Sequence, residues 1–256
     1  MAGIHDAAGI GFASGAATYV RGRPDYPDEL LPWLEHELAV RPGAVVVDLG
    51  AGTGKFTRLL ARTAADVVAV EPVAPMRARL AAGQPAVEVL EGTADAIPLA
   101  SGTAHAVVCA QAFHWFATDE ALREIHRVLR PGGRLGLVWN VRDQSVDWVA
   151  EITRIITPLE GDAPRFHKGG WRKPFGGAPF GELRMTSFDH RHVGPAQEVI
   201  IDRFLSVSFI AALPAAQKAV VEAQLRELVA THPQLRGRES IVFPYRTEAY
   251  CCEAIG

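Results

Sequence analysis

The sequence predicts an α/β fold built on a doubly wound parallel sheet, and three observations carry that prediction. Val45-Val46-Val47-Asp48-Leu49 is a β-branched apolar run without alternation, the pattern of a central strand covered on both faces, and it leads directly into Gly50-Ala51-Gly52-Thr53-Gly54. A second run of this kind, Asp66-Val67-Val68-Ala69-Val70, ends in an acid, Glu71, 17 residues after Gly54. Strand-like and helix-like segments then alternate as far as Asn140.

Taken in order, Pro27 to Leu38 reads as a helix through Leu30, Leu31, Leu34 and Leu38, with Pro32 marking its first turn. After the first strand, Lys55 to Thr63 is helical with Phe56, Leu59 and Leu60 inward, and the second strand follows. Residues 74 to 82 form a short helix, 86 to 90 a third strand and 104 to 110 a fourth. Thr118 caps the next helix, Asp119 and Glu120 suit the positive end of its dipole, and Leu122, Ile125 and Leu129 form its apolar face. Pro131-Gly132-Gly133 stops it, and Leu135 to Trp139 supplies a fifth strand. Beyond Asn140 the pattern changes. A helix at 146–156 precedes a Gly- and Pro-rich segment, 161–181, expected as an ordered loop or lid. Residues 182–193 are strand-like, 195–209 and 215–230 helical, and 241–252 strand-like, with Pro244 pointing to an edge or a bulge. Two strands separated by two helices predict a sheet-closing pair with a helical cap.

Glycines at alternate positions let a backbone turn through positive φ and bring its N–H groups against a ligand without an intervening Cβ. Lys55 stands where the dinucleotide fingerprint requires its third glycine, which favours a smaller adenosine ligand over a nicotinamide dinucleotide. A carboxylate at the tip of the next strand can accept two hydrogen bonds from a ribose diol, and Glu71 has that position.

With 256 residues and 48% hydrophobic content the chain can bury a large core, and a formal net charge of −3 gives no general attraction to nucleic acid or anionic membranes. Cys109, Cys251 and Cys252 form neither a disulfide framework nor a metal-ligand spacing, so a reducing compartment and no metal site are expected. No apolar run approaches the ~18 residues of a membrane span, and the first 15 residues lack the pattern of a signal peptide. A cytoplasmic protein, monomeric or homodimeric, is the expectation.

These residues together resemble a known family, the class I S-adenosylmethionine-dependent methyltransferases, in the small-molecule branch related to trans-aconitate methyltransferase. The resemblance rests on Val47 to Gly54, Glu71, Gly92-Thr93-Ala94-Asp95-Ala96-Ile97-Pro98, Gln111-Ala112-Phe113-His114-Trp115-Phe116 and Leu129-Arg130-Pro131-Gly132-Gly133. Tyr19 to Pro27 is similar to the amino-terminal arm that covers the cofactor in that branch. It implies a Rossmann-like sheet of seven strands with the last antiparallel, and one domain over residues 1–256. Within it, 1–40 would be the arm and first helix, 41–145 the cofactor-binding core, and 146–256 the lid, cap and closing strands. It also implies S-adenosylmethionine as cofactor. Tyr19, Arg23, Gly50, Ala51, Gly52, Glu71, Pro72, Met76, Ala94, Asp95 and Gln111 would bind it. Thr93 departs from relatives that carry an acid at that position. The fourth strand also lacks the Asn/Asp-Pro-Pro-Tyr/Phe signature of nucleobase and amide N-methyltransferases and the Pro-Cys pair of cytosine-C5 enzymes, so DNA is not the expected substrate.

His114, just past the fourth strand, is the candidate general base, the alternative being a packed histidine bonded to a neighbouring group. Trp115, in the aromatic cluster beside His114, is a candidate for substrate binding, as are Arg165, Trp171 and Arg172, since the stretch 165–173 mixes bases and aromatics. That stretch is either a solvated lid or a clamp on an anionic acceptor. The expected reaction is methyl transfer to a small molecule, at a carboxylate or hydroxyl oxygen. A cofactor-binding protein without transfer, and N- or C-methylation, are the competing readings.

Overall fold

The computed structural model describes residues 22–256. Tyr19 and the start of the expected arm lie outside them. The strands are β1 (Val45–Leu49), β2 (Asp66–Val70), β3 (Glu88–Leu90), β4 (Ala104–Ala110), β5 (Leu129–Arg142), β6 (Arg184–Gly194) and β7 (Ile241–Glu253). They form one sheet in the order β3-β2-β1-β4-β5-β7-β6. The first five run parallel, and β7 lies antiparallel between β5 and β6. Strand order reverses beside β1, so a crevice opens between the carboxyl ends of β1 and β4, the place where α/β sheets bind ligands.

Side chains of a strand alternate between faces, and the two apolar layers follow that period. Val47, Leu49, Val107 and Cys109 pack with Leu122, Ile125 and Val128 of α4 (Asp119–Val128). Val46, Ala106 and Val108 pack on the other face with α1 (Leu30–Leu38) and α2 (Lys55–Ala61). A close approach sets the position of α1: a Cβ on Gly136 of β5 would come within 2.5 Å of Leu38 Cδ1. α3 (Ala74–Gly83) connects β2 to β3 and buries Met76 and Leu80. The Thr118 hydroxyl accepts from the Ala121 amide at 3.2 Å and caps α4.

Three boundaries differ from expectation. α1 starts at Leu30, which puts Pro32 in the first turn, where its missing N–H has no helical partner to lose. α4 ends at Val128, and Leu129 instead begins β5; the pairing with β4 shifts register across the Pro131-Gly132-Gly133 bulge. β7 is an interior strand, not an edge. Pro244 pairs with Arg191 of β6 but turns its carbonyl towards β5, where it accepts from the Asp143 amide at 3.2 Å just past Tyr245, the last partner of β5, so its missing N–H falls beyond that ladder.

The carboxyl-terminal part builds a separate apolar layer. α5 (Asp147–Ile156), a helical segment Gln197–Leu205 that opens with a wider π-type turn, and α6 (Ala215–Thr231) bury Trp148, Ile152, Ile200, Phe204 and Leu225 against Phe243 of β7. The segment expected as a lid carries short 3₁₀ turns at Phe166–Lys168 and Gly170–Gly176 and is packed onto the sheet. Trp171, at 2% exposure, lies 4.7 Å from the Trp139 ring and 5.1 Å from that of Tyr250. Among the described residues no helix is long and apolar enough to cross a membrane.

Candidate functional site

The turn after β1 is the floor of a cavity above the carboxyl ends of β1, β2 and β4. Gly50, Gly52 and Gly54 all have positive φ, at 73°, 60° and 83°. The amides of Gly50 and Ala51 donate to the Val70 carbonyl at 2.8 and 3.2 Å, which fixes the turn to the end of β2. A Cβ placed on Gly52 would meet only Met76 Sδ, at 4.0 Å, so that side of the turn faces open space.

Glu71 is 4% exposed and stands at the tip of β2. One carboxylate oxygen accepts from the Gly52 amide and the other from the Val73 amide, both at 2.8 Å. Burial raises its pKa, and these two amides pull the other way. Each oxygen keeps a lone pair, so the carboxylate can still accept from a pair of vicinal hydroxyls. Asp48, fully buried at the end of β1, accepts from the Thr57 hydroxyl at 2.6 Å through Oδ2, while Oδ1 has no partner. Burial pushes its pKa up to about 7, with the Glu71 charge adding to the shift.

Most of the expected cofactor residues meet in this one cavity. Arg23, Gly50, Ala51, Gly52, Glu71, Pro72 line it. Met76, Ala94, Asp95 and Gln111 do so as well. Gln111 takes φ 59°, an uncommon conformation for a residue other than glycine, at the mouth of β4. The segment from Arg23 to Asp28 crosses the amino end of α2. Asp25 meets Lys55 at 2.8 Å and Arg58 at 3.2 Å, Asp28 meets Arg62 at 2.6 Å, and Asn140 Nδ2 donates to the Asp25 carbonyl at 2.9 Å. The exposed ion pairs contribute little each, whereas Asn140 is 8% exposed and also accepts from the Thr247 hydroxyl at 2.6 Å, tying this segment to the sheet.

Of the expected catalytic and substrate residues, Trp115 lines the cavity, together with Phe116. His114, in the turn Phe113–Trp115, does not line it. The Trp139 indole N–H donates to His114 Nδ1 at 3.1 Å; since an indole can only donate, the neutral ring carries its proton on Nε2. Burial, then the charges of Arg165, Arg23 and His167, lowers the His114 pKa to about 3. The ring is therefore a donor at Nε2 and a weak base, which corrects the expectation of a base poised near neutrality. Trp171 and Arg172 are drawn into packing and not to the cavity wall. Trp171 Nε1 donates to the Phe166 carbonyl at 3.2 Å, and Arg172 lies 4.1 Å over the Trp171 ring while donating to the Tyr250 hydroxyl at 2.9 Å. Arg165 sits over the Phe209 ring at 5.1 Å.

Asn140, Tyr26 and Arg203 also line the cavity without having been singled out in the sequence. An amide directly after the fifth apolar run was a usable signal for Asn140, being at the carboxyl end of a strand. Arg203 gave none, because it arrives with the docking of the cap. Among the described residues no cluster of three metal-ligating side chains occurs.

The sequence and the fold each match known proteins. Residues 47–137 match the family model described as a methyltransferase domain. An uncharacterised methyltransferase-like protein of Schizosaccharomyces pombe is 38% identical over 243 residues, covering 94% of both chains. An uncharacterised methyltransferase of Mycobacterium tuberculosis is 40% identical over 238 residues, 93% of both. A solved structure from Anaeromyxobacter dehalogenans, provisionally assigned as a type II methyltransferase, superposes with a TM-score of 0.63 at 26% identity, over 91% of this chain and 97% of that one. This chain belongs to the S-adenosylmethionine-dependent methyltransferases and is an enzyme of that class.

Proposed function

We propose that this enzyme transfers a methyl group from S-adenosylmethionine to an oxygen of a small-molecule acceptor, a carboxylate in preference to a hydroxyl. The observation that carries the reading is the pairing of Glu71 with the open face of Gly52 in one cavity. The residues fit the cofactor: Glu71 would take the ribose hydroxyls, the space beside Gly52 the chain of the amino acid part, and Met76 with Ala94 and Asp95 the adenine. Bound there, the cofactor would supply an electrophilic methyl group on a sulfonium for transfer to an acceptor oxygen. The protein's part is to position and to exclude water. The arm segment Arg23 to Asp28, held by Asn140 and Lys55, covers the cavity; Trp115 and Phe116 offer walls to the acceptor.

Two features favour an acceptor already ionised. His114, held at about 3, is a poor proton acceptor, and a carboxylate needs none. Arg23 and Arg203, both lining the cavity, would repel a protonated amine. The test is calorimetric titration of S-adenosylmethionine together with a metabolite screen using labelled methyl donor. Glu71→Ala should weaken cofactor binding by ~10-fold to 100-fold, the worth of hydrogen bonds to a charged group. Unchanged affinity would remove Glu71 from the site, and label appearing on nitrogen would overturn the preference for oxygen.

A further inference from the structure

Beside the cavity stand guanidinium groups drawn from four separate parts of the chain, Arg23 and Arg203 on its wall and Arg142 and Arg165 behind them. Arg203, on the cap segment Gln197–Leu205, is 8% exposed; its Nε donates to the Tyr245 hydroxyl at 3.1 Å, and its Nη1 is buried without a hydrogen-bond partner. Arg142 ends β5 directly opposite Tyr245. Its guanidinium lies against the same Phe204 ring as that of Arg203, both at 5.4 Å from the centroid. Among the described residues, the Arg142 side chain makes no hydrogen bond or ion pair. Arg165 approaches the group from the segment after α5. Its nearest carboxylate, Glu160, is 3.9 Å away and is shared with Lys168 at 3.2 Å and His167 at 3.3 Å. Arg23 Nη2 donates to the Ser206 carbonyl at 3.2 Å, which brings the arm onto the cap beside Arg203.

Glu160 offsets part of the charge of Arg142 and Arg165, and Arg203 Nη1 keeps no hydrogen-bond partner. Burial and mutual repulsion hold both Arg142 and Arg165 down to about 10. An unmatched buried guanidinium costs stability, and an oxyanion offset against it recovers that cost through short, charge-assisted hydrogen bonds. The guanidinium fork matches the two oxygens of a carboxylate or phosphate in a way an ammonium does not.

We propose that Arg142 and Arg203, with Arg23 and Arg165, form an oxyanion-binding subsite that recognises a carboxylate or phosphate group of the methyl acceptor. The proposal rests on the reading of the cavity as a small-molecule methyl-transfer site. Of the segment 165–173 only Arg165 takes part; acceptor recognition centres on the junction of β5, β7 and the cap, and Trp115 and Phe116, on the wall of the same cavity, would face the apolar part of the acceptor.

The test is calorimetric titration of succinate, inorganic pyrophosphate and neutral dimethyl succinate into the protein, with and without saturating S-adenosylhomocysteine, at constant ionic strength set with chloride. At least one anion should bind while the neutral ester does not, and Arg142→Gln should weaken that binding by ~10-fold to 100-fold with S-adenosylhomocysteine affinity unchanged. Arg203→Gln should do the same. Because Arg203 is buried, Arg203→Lys accompanies it, with melting curves to confirm folding, and should recover part of the affinity. Preference for succinate assigns a carboxylate and preference for pyrophosphate a phosphate. Equal responses of wild type and Arg142→Gln, whether both bind or neither does, overturn the subsite. Failure of S-adenosylhomocysteine to bind would instead strike the cofactor reading, and the titrations without it would still decide the subsite.

Discussion

Asp48 shows how far a single carboxyl at the site departs from solution behaviour. Its pKa is about 7 in the folded protein and ~3.9 in the unfolded chain, so between these values the folded form keeps a proton that the unfolded form has released. Stability therefore falls as pH rises from ~4 towards ~7, and the full penalty persists above that range. Asp48→Asn removes the ionisation while keeping an oxygen for Thr57. It should raise the melting temperature at pH 8 by several degrees and flatten its dependence between roughly pH 4 and 7. Scanning calorimetry of both proteins across that range checks the sign. A melting temperature unchanged at pH 8 would mean that Asp48 is not the buried carboxyl described.

His114 leads to a second expectation at the same scale. Held at about 3, it stays neutral over the working range, so the rate should show no limb from this residue near ~6.5. His114→Ala leaves the Trp139 indole N–H, on a side chain 1% exposed, without its acceptor. The cost should be about 1–3 kcal/mol of stability. Melting curves read that loss. A limb near ~6.5 in the wild-type pH profile that vanishes in the variant would restore the histidine as a base.

Among the elements, α1 and β5 depend on a missing side chain. Gly136 lets Leu38 and Trp33 lie directly on the strand, and both are buried in the layer that also covers β1 and β4. A Cβ there would push Leu38 off the sheet, and overpacking of this kind costs about 1–3 kcal/mol. Gly136→Val should therefore lower the unfolding midpoint in urea with the slope nearly unchanged. Because α1 leads out of the arm that covers the cavity, its displacement should also weaken cofactor binding. A variant as stable as wild type would show that α1 has room to shift.

Across the whole molecule, the three cysteines report on global order. Cys109, Cys251 and Cys252 are at most 1% exposed, and burial pushes the Cys252 thiol up to about 12 and the other two upward as well. A disulfide reagent acts on exposed thiolates. The native protein should therefore react slowly, and all three thiols should react after denaturation. A fast native thiol would locate a region that opens without global unfolding.

The sequence alone determined the parts of this enzyme that depend on local chemistry. Apolar runs of strand length, glycines at alternate positions and an acid at the end of the next run are short-range signals, and they placed β1, β2, the turn between them and Glu71 before any contact was known. Binary pattern likewise separated the parallel half of the sheet from the strands and helices that close it. Only the tertiary structure decided the surroundings of the proposed acceptor end. Trp171 and Arg172 have the composition of a binding loop, but Trp139 and Tyr250, distant in sequence, draw Trp171 into the core and hold Arg172 over it at the surface. Arg142 and Arg203 carry no local motif, and they meet because β7 inserts between β5 and β6 and brings Tyr245 under the cap. The tautomer of His114 is set by Trp139, 25 residues away. Ligand-facing turns are written in neighbouring residues because backbone conformation is local; charge clusters and proton positions depend on which side chains the completed fold brings within a few ångströms.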